Sequence, residues 1–118
     1  MKKFLLLTFI TCLLTPMFSY AYVAPERIER ALGIFFKNDP VMIDIAECES
    51  EFRHYNPDGS VLRGGLSDKM VGLYQIHEDY HRDRALRMGV DIDTLVGNIL
   101  YAKVLYTFQG VTPWVSCV

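Results

Sequence analysis

Residues 41–52 read VMIDIAECESEF, an apolar segment that becomes acidic in its second half. The apolar residues predict a helix that packs against the core. Three carboxylates occupy alternate positions near its end, Glu47, Glu49 and Glu51. Because an α-helix turns by about 100° per residue, Glu47 and Glu51 share one side, and Glu49 lies about 200° from each. This geometry predicts two solvent-facing acids and one, Glu49, that points elsewhere. The simpler alternative is three solvated carboxylates at a helix end.

An amphipathic helix is predicted before this segment. It begins at Pro25 and extends to about Lys37, with apolar residues spaced by three or four positions. The acidic helix follows directly. Asp39 can cap its start, and Pro40 can occupy its first position. These signals predict two consecutive helices joined by a short turn.

Two more helices are predicted after the acidic one. The first ends at Gly89, and the second starts near Asp91 and Asp93 and ends at Gly110. Residues 54–68 are rich in Asn, Pro, Asp and Gly, which is typical of turns around a small hairpin or irregular lobe. The sequence therefore predicts a mainly α fold of four or so helices with a small β lobe.

The first 21 residues have the features of a secretory signal. Lys2 and Lys3 give a positive start, residues 4–14 are almost continuously apolar, and small residues precede a cleavage position after Ala21. The apolar run is too short for a permanent membrane anchor, which needs about 20 residues. We expect an exported protein, periplasmic or extracellular, in which residues 22–118 form one domain.

Composition restricts the class of protein further. The chain of 118 residues is 51% hydrophobic and 22% charged, which is typical of a sequence that folds. Its formal net charge is −2, and no cluster of Lys and Arg follows Lys3. Binding to nucleic acid through phosphate contacts is therefore not expected.

Two cysteines follow the leader, Cys48 and Cys117. In an oxidising compartment, an isolated pair in a small domain is best interpreted as a disulfide. Such a bond would join the tail of the domain to the acidic helix. Free thiols or metal ligands are the weaker alternative, because no second Cys or His lies at ligand spacing from either residue.

Four short motifs occur in a characteristic order. They are IAECESEF at residues 45–52, NP at 56–57, GLYQI at 72–76 and NI at 98–99. Their order and spacing resemble the SLT-type lytic transglycosylases of the lysozyme superfamily. The resemblance covers residues 41–118. It implies an α+β, lysozyme-like fold.

The resemblance also implies site residues. The catalytic acid of the family's Glu-Ser-x-Phe motif corresponds to Glu49, which Ser50 and Phe52 follow. The family's Gly-Leu-Met-Gln and Asn-Ile motifs correspond to residues 72–75 and 98–99. The implied cleft residues are Ser50, Tyr74, Gln75 and Asn98. An aromatic platform for sugar would come from Tyr101, Tyr106 or Trp114, since the family's Ala-Tyr-Asn-x-Gly motif has no counterpart in this sequence.

The sequence around Cys48 is also similar to the resuscitation-promoting factors, a related group of secreted domains that degrade cell walls. Cys48-Glu49-Ser50 carries this similarity, together with Pro113-Trp114 and Cys117. The similarity implies the same pairing of Cys48 with Cys117.

Both resemblances imply an enzyme that cleaves peptidoglycan glycan strands without a cofactor. Glu49 would protonate the bond between N-acetylmuramic acid and N-acetylglucosamine, and would then take a proton from the muramic 6-hydroxyl to close a 1,6-anhydro ring. Burial in an apolar cleft would raise its pKa and keep it protonated. A second carboxylate, Asp58 or Asp68, would instead make the protein a hydrolytic lysozyme. A non-catalytic glycan-binding module is a further alternative, and a partner in the cell envelope could localise the protein.

Residues 77–81 read HEDYH and match the H-E-x-x-H signature of zinc peptidases. In that alternative, His77 and His81 would bind zinc, and Glu78 would act as the general base. Only aspartates follow as candidate third ligands, so no metal site is expected. His54 has no spaced partner and is expected at the surface.

Overall fold

The computed structural model describes residues 22–118, and the expected signal at residues 1–21 lies outside this part of the chain. The described residues form four α-helices and one small sheet. The elements follow in the order α1 (Pro25–Phe35), α2 (Val41–Ser50), β1 (Arg63–Gly64), β2 (Met70–Val71), β3 (Ile76–His77), α3 (Glu78–Arg87) and α4 (Leu95–Gln109). Short 3-10 helices span Leu66–Asp68 and Thr112–Cys117. None of the helices within residues 22–118 is both long and apolar enough to span a bilayer.

Apolar residues spaced by about one helical turn build the core. On α1, Ile28 and Leu32 are buried along one face, and Phe36 continues that face just beyond the helix. Other elements complete the core with Met42, Ile45 and Ala46 from α2, Val71 from β2, Ala85 from α3, and Tyr101, Ala102 and Leu105 from α4. One apolar core therefore joins the four helices to the sheet.

The ends of the first two helices differ from the predicted ones by one or two residues. α1 ends at Phe35 rather than near Lys37, and α2 begins at Val41. Pro40 is the N-cap of α2 instead of its first helical residue, and no side chain caps this end. The predicted cap, Asp39, is one position too early to serve.

The start of α4 also differs from the prediction. Its N-cap is Thr94, whose hydroxyl accepts a hydrogen bond from the Gly97 N–H at 3.0 Å. Asp91 and Asp93 lie in the preceding turn, where Asp91 Oδ1 accepts from the Asp93 N–H at 2.9 Å. The C-cap is Gly110, as predicted, and its φ of 60° favours glycine.

The small lobe is a three-stranded antiparallel sheet in the order β1-β2-β3. Arg63 of β1 pairs with Val71, and Val71 pairs in turn with Ile76 of β3. The sequence predicts a lobe within residues 54–68, whereas the strands extend to His77. The tight turn of residues 72–75 between β2 and β3 therefore belongs to the lobe.

The tail of the domain returns to the acidic helix. The 3-10 helix Thr112–Cys117 packs against both α2 and α4. There Cys48 and Cys117 form the predicted disulfide, with their Cα atoms 5.8 Å apart. The bond joins residues separated by 69 positions and fixes the tail beside the end of α2.

Candidate active site

A pocket of about 200 Å³ opens where α2 ends beside the small sheet. The end of α2 and the residues after it line it with Cys48, Glu49, Ser50, Glu51 and Arg53. The facing wall consists of Leu62, Arg63, Gly64 and Gln75. The pocket thus brings together three of the predicted site residues, Glu49, Ser50 and Gln75.

Glu49 lies on the last turn of α2 and is half-buried, while Glu47 and Glu51 are exposed. This is the arrangement that the helical spacing predicts. Burial raises the pKa of Glu49 above its ordinary value of 4.5. Its Oε1 lies 3.3 Å from Cys117 Sγ. Because that sulfur is in a disulfide, it has no proton to donate, so the contact does not stabilise the carboxylate by hydrogen bonding. The contact therefore does not offset burial, which disfavours the charged form of Glu49.

The backbone turns sharply just after Glu49. Glu51 and Phe52 have φ values of 55° and 59°, a left-handed conformation that is uncommon for residues other than glycine. The turn places Phe52 in the core and leaves Glu51 at the pocket rim. Ser50 is buried, and its hydroxyl donates to the Ala46 carbonyl at 3.0 Å. Ser50 therefore shapes the pocket wall, with its hydroxyl directed back to the helix.

Gln75 faces the end of α2 from the other wall. Its φ is 48°, and its Nε2 donates to the Gly72 carbonyl at 2.8 Å within the same turn. A Cβ at Gly64 would overlap Gln75 Oε1, so glycine at position 64 leaves room for the amide. The amide group is therefore fixed by its own turn and by the adjacent strand.

The turn that carries Gln75 is held by side chains from distant parts of the chain. The Leu73 N–H donates to His54 Nδ1 at 3.1 Å, and the Tyr74 N–H donates to Asn98 Oδ1 at 2.9 Å. The indole N–H of Trp114 donates to the Tyr74 carbonyl at 2.9 Å. These three buried partners satisfy backbone groups that the turn itself leaves unpaired.

Asn98 connects the turn to two other segments. Its Nδ2 donates to the carbonyls of Val71 at 3.0 Å and Ile92 at 2.9 Å. With the bond from the Tyr74 N–H, the fully buried amide makes three hydrogen bonds. Asn98 thus joins α4, β2 and the turn at one point, and it does not line the pocket.

Three of the predicted cleft residues are therefore part of the core, which corrects their assignment to the cleft. Tyr74, Asn98 and Tyr101 have no exposed surface. The Tyr74 hydroxyl donates to the Met42 carbonyl at 2.9 Å, and burial raises its pKa. The Tyr101 hydroxyl lies 2.9 Å from His81 Nδ1. Their polar atoms reach protein partners instead of the pocket.

The other candidate platforms do not reach the pocket either. Trp114 is buried with its indole N–H on the turn, and Tyr106 packs against the core. None of the three aromatic candidates, Tyr101, Tyr106 and Trp114, lines the pocket. Aromatic residues at helical spacing serve here as packing groups.

His54 is buried, so the expectation of a surface position is wrong. Its Nε2 lies 2.7 Å from the Asp93 carbonyl, while its Nδ1 accepts from the Leu73 N–H. These partners require a neutral ring that carries its proton on Nε2. Burial lowers the pKa of His54, and the Asp93 carbonyl and carboxylate oppose this effect. The turn chemistry of residues 56–60 gives no local signal of this role.

The H-E-x-x-H segment has a different arrangement from that of a zinc site. His77 ends β3 with an extended backbone, and His81 interacts with Tyr101. Glu78 forms ion pairs with Arg82 at 2.9 Å and Arg63 at 3.1 Å, and these lower its pKa to about 2. Among residues 22–118, no group of three His, Cys, Asp or Glu side chains could hold a metal ion. Glu78 instead fastens α3 to the sheet.

No family model matches this chain, and no curated protein or solved structure is significantly similar to it. Any function must therefore be inferred from the residues and geometry of the pocket.

Proposed function

We propose that the protein is an exported lytic transglycosylase with a lysozyme-like fold, which cleaves the β-1,4 bond between N-acetylmuramic acid and N-acetylglucosamine in peptidoglycan. The supporting observation is a half-buried Glu49 with a raised pKa, in a pocket between a helical region and a small sheet. The motif resemblance assigns the catalytic acid to the same residue. The disulfide between Cys48 and Cys117 supports export, because such bonds persist in oxidising compartments.

In this mechanism one carboxyl group acts twice. Protonated Glu49 first donates to the glycosidic oxygen, and the bond from that oxygen to the muramic C1 breaks. The resulting carboxylate then accepts the proton of the muramic 6-hydroxyl while that oxygen bonds to C1. The acid is regenerated and no water is consumed. A group whose pKa lies close to the working pH can serve in both steps.

Gln75 would position the sugar for this reaction. Its amide faces the end of α2, and an amide can both donate to and accept from sugar hydroxyl or acetamido groups. The rigid support of its turn favours a single orientation of the amide. Glu49 and Gln75 would thus act from opposite walls of the pocket.

Hydrolysis is the second candidate reaction, and one observation favours it. Glu51 places a second carboxylate at the pocket rim. The two acids named for this role from the sequence do not line the pocket. Asp58 accepts from the Ser60 N–H and hydroxyl in an exposed turn, and Asp68 lies beyond β1. A lysozyme mechanism would therefore depend on Glu51.

Mass spectrometry of digested peptidoglycan tests the proposal. We expect the purified, oxidised protein to release fragments with 1,6-anhydromuramic ends. Glu49→Gln should lower the yield by at least about 10²-fold, since general acid–base catalysis contributes that much. Glu47→Gln is the matched control, because Glu47 is an exposed acid on the same helix outside the pocket.

Other results would indicate a different reaction, a different acid or a protein without catalytic activity. Reducing ends that disappear in Glu51→Gln would establish a hydrolytic lysozyme. Equal yields from the parent and Glu49→Gln would exclude Glu49 as the acid. If the parent binds glycan strands but releases no fragments, the protein is a glycan-binding module.

A further inference from the structure

Two arginines line the candidate site, Arg53 and Arg63, and they differ in whether the guanidinium forms an ion pair within residues 22–118. Arg63 pairs with Glu78 at 3.1 Å and also donates to the Asp68 carbonyl at 3.3 Å. Arg53 is exposed, and no carboxylate of residues 22–118 lies within 4.0 Å of its guanidinium. Within the described part of the pocket, Arg53 therefore carries the cation that is free to pair with a ligand.

The side chain of Arg53 is nonetheless held in place. The Ser50 carbonyl accepts both the backbone N–H of Arg53 at 3.1 Å and its Nε–H at 3.2 Å. This arrangement caps the end of α2 and folds the side chain back toward the pocket. It uses one of the five N–H groups of the guanidinium. The two terminal nitrogens keep four donors in the planar geometry that binds a carboxylate through two hydrogen bonds.

The proposed substrate carries a carboxyl group close to the bond that Glu49 would protonate. Muramic acid bears a lactyl group on O3, two ring carbons away from the C1 at which the bond breaks. This carboxyl is a free anion in glycan strands that have lost their peptides. When a peptide is attached, the same carboxyl is a neutral amide, and the nearest carboxylates lie farther out on the peptide.

We propose that Arg53 is a specificity-determining residue that binds the free lactyl carboxylate of the muramic residue under attack. The proposal rests on the proposed function, and it identifies peptide-stripped glycan strands as the preferred substrate. Four positions separate Glu49 and Arg53, and both line one pocket of about 200 Å³, so a single bound sugar can contact both. The acid acts on the glycosidic oxygen while the arginine holds the substituent on O3.

Cleavage of two matched substrates tests this assignment. One is stripped glycan strands with free lactyl carboxylates, and the other is the same strands with these groups converted to neutral methylamides. We expect the parent kcat/KM to be at least about tenfold higher for the free acid, as a charge-assisted hydrogen bond implies. In Arg53→Gln this ratio should fall to about one. Arg53→Lys should give an intermediate ratio, because an ammonium cannot form the paired contact.

Arg30→Gln is the matched control. Arg30 lies on α1, its Nε donates to the Glu26 carbonyl at 3.4 Å, and it does not line the pocket. It therefore reproduces the exposed, backbone-bonded state of Arg53 at a position outside the pocket, and its ratio should equal that of the parent. Circular dichroism verifies folding. If Arg53→Gln fails to fold, Arg53→Lys still tests the effect.

The contradicting outcomes are distinct. An unchanged ratio in a folded Arg53→Gln would overturn the role of Arg53 and leave the proposed function intact. A parent that prefers intact peptidoglycan, with the preference lost in Arg53→Gln, would move the contact to a peptide carboxylate and overturn the lactyl assignment. A parent that cleaves neither substrate nor intact peptidoglycan would contradict the proposed function itself.

Discussion

The two walls of the pocket are held by different forces. The wall at the end of α2 is fixed by a covalent bond from Cys48 to Cys117, and its acid, Glu49, receives little stabilisation as an anion. On the facing wall, Gln75 is carried by the turn of residues 72–75, which is fixed by hydrogen bonds with buried side chains. Buried hydrogen bonds therefore support the turn of residues 72–75, and these bonds do not reach the carboxylate of Glu49. Glu49 can therefore keep a raised pKa beside a rigid framework.

Removing hydrogen bonds from the turn of residues 72–75 should cause the largest loss in the free energy of unfolding. Asn98→Ala removes the acceptor for the Tyr74 N–H and a donor for each of two buried carbonyls. At 1–3 kcal/mol for each affected group, we expect a loss of about 5 kcal/mol, close to the whole stability of a small domain. Urea unfolding measures this loss. Asn56→Ala, in an exposed turn, is the control and should lose about 1 kcal/mol. A loss below 1 kcal/mol for Asn98→Ala would contradict the role of the network.

Removing the disulfide should cause the next largest loss in the free energy of unfolding. Replacing Cys48 and Cys117 together by serine removes a cross-link between residues 69 positions apart. The chain-entropy model gives a loss of about 4 kcal/mol for such a loop. Urea unfolding of the double variant measures it, and the reduced parent is the control that should behave alike. An unchanged unfolding midpoint after verified reduction would show that the bond contributes nothing.

Acidification should lower stability by protonating His54, which supports the turn of residues 72–75. Burial lowers the pKa of His54, so the unfolded chain binds its proton more tightly than the folded one. The contribution of His54 to stability is complete above about pH 6.5 and is lost as the pH falls below that value. Unfolding at pH 5–7.5 measures this trend. The pKa of His81 is also lowered and that of Glu49 is raised, so the trend must persist in a Glu49→Gln/His81→Gln double variant to be assigned to His54. A flat profile in that variant would contradict the assignment.

The smallest expected change in stability comes from Glu49, the acid beside the disulfide. Burial raises the pKa of Glu49, so stability is lost as the pH rises from its unfolded value near 4.5 through the folded one. Glu49→Gln should therefore raise Tm at pH 7, and the gain should disappear below pH 4. Differential scanning calorimetry at both pH values measures the difference. Glu47→Gln, the exposed control, should leave Tm unchanged; a lower Tm for Glu49→Gln at pH 7 would contradict the account.

The sequence predicted the local features of the molecule better than the tertiary ones. Helical spacing singled out Glu49 from its two neighbours, and the isolated cysteine pair indicated the disulfide. Both conclusions depend on a period or a count that is visible in one segment. The burial of His54, Tyr74 and Asn98 depends instead on how α4 and the lobe meet around one turn. A motif can therefore mark such residues without showing whether they face a cavity or the core.

The glycine that begins this turn limits how the sequence can change over evolution. Gly72 has a φ of 72°, and a Cβ there would overlap the His54 ring and lie 2.6 Å from Asn98 Nδ2. The side chains at positions 54 and 98 therefore fill the space beside Gly72, and we expect substitutions at these three positions to occur together. A search for relatives of this domain would be sharpened by requiring all three together, since each residue alone is common and the combination specifies the turn that carries Gln75.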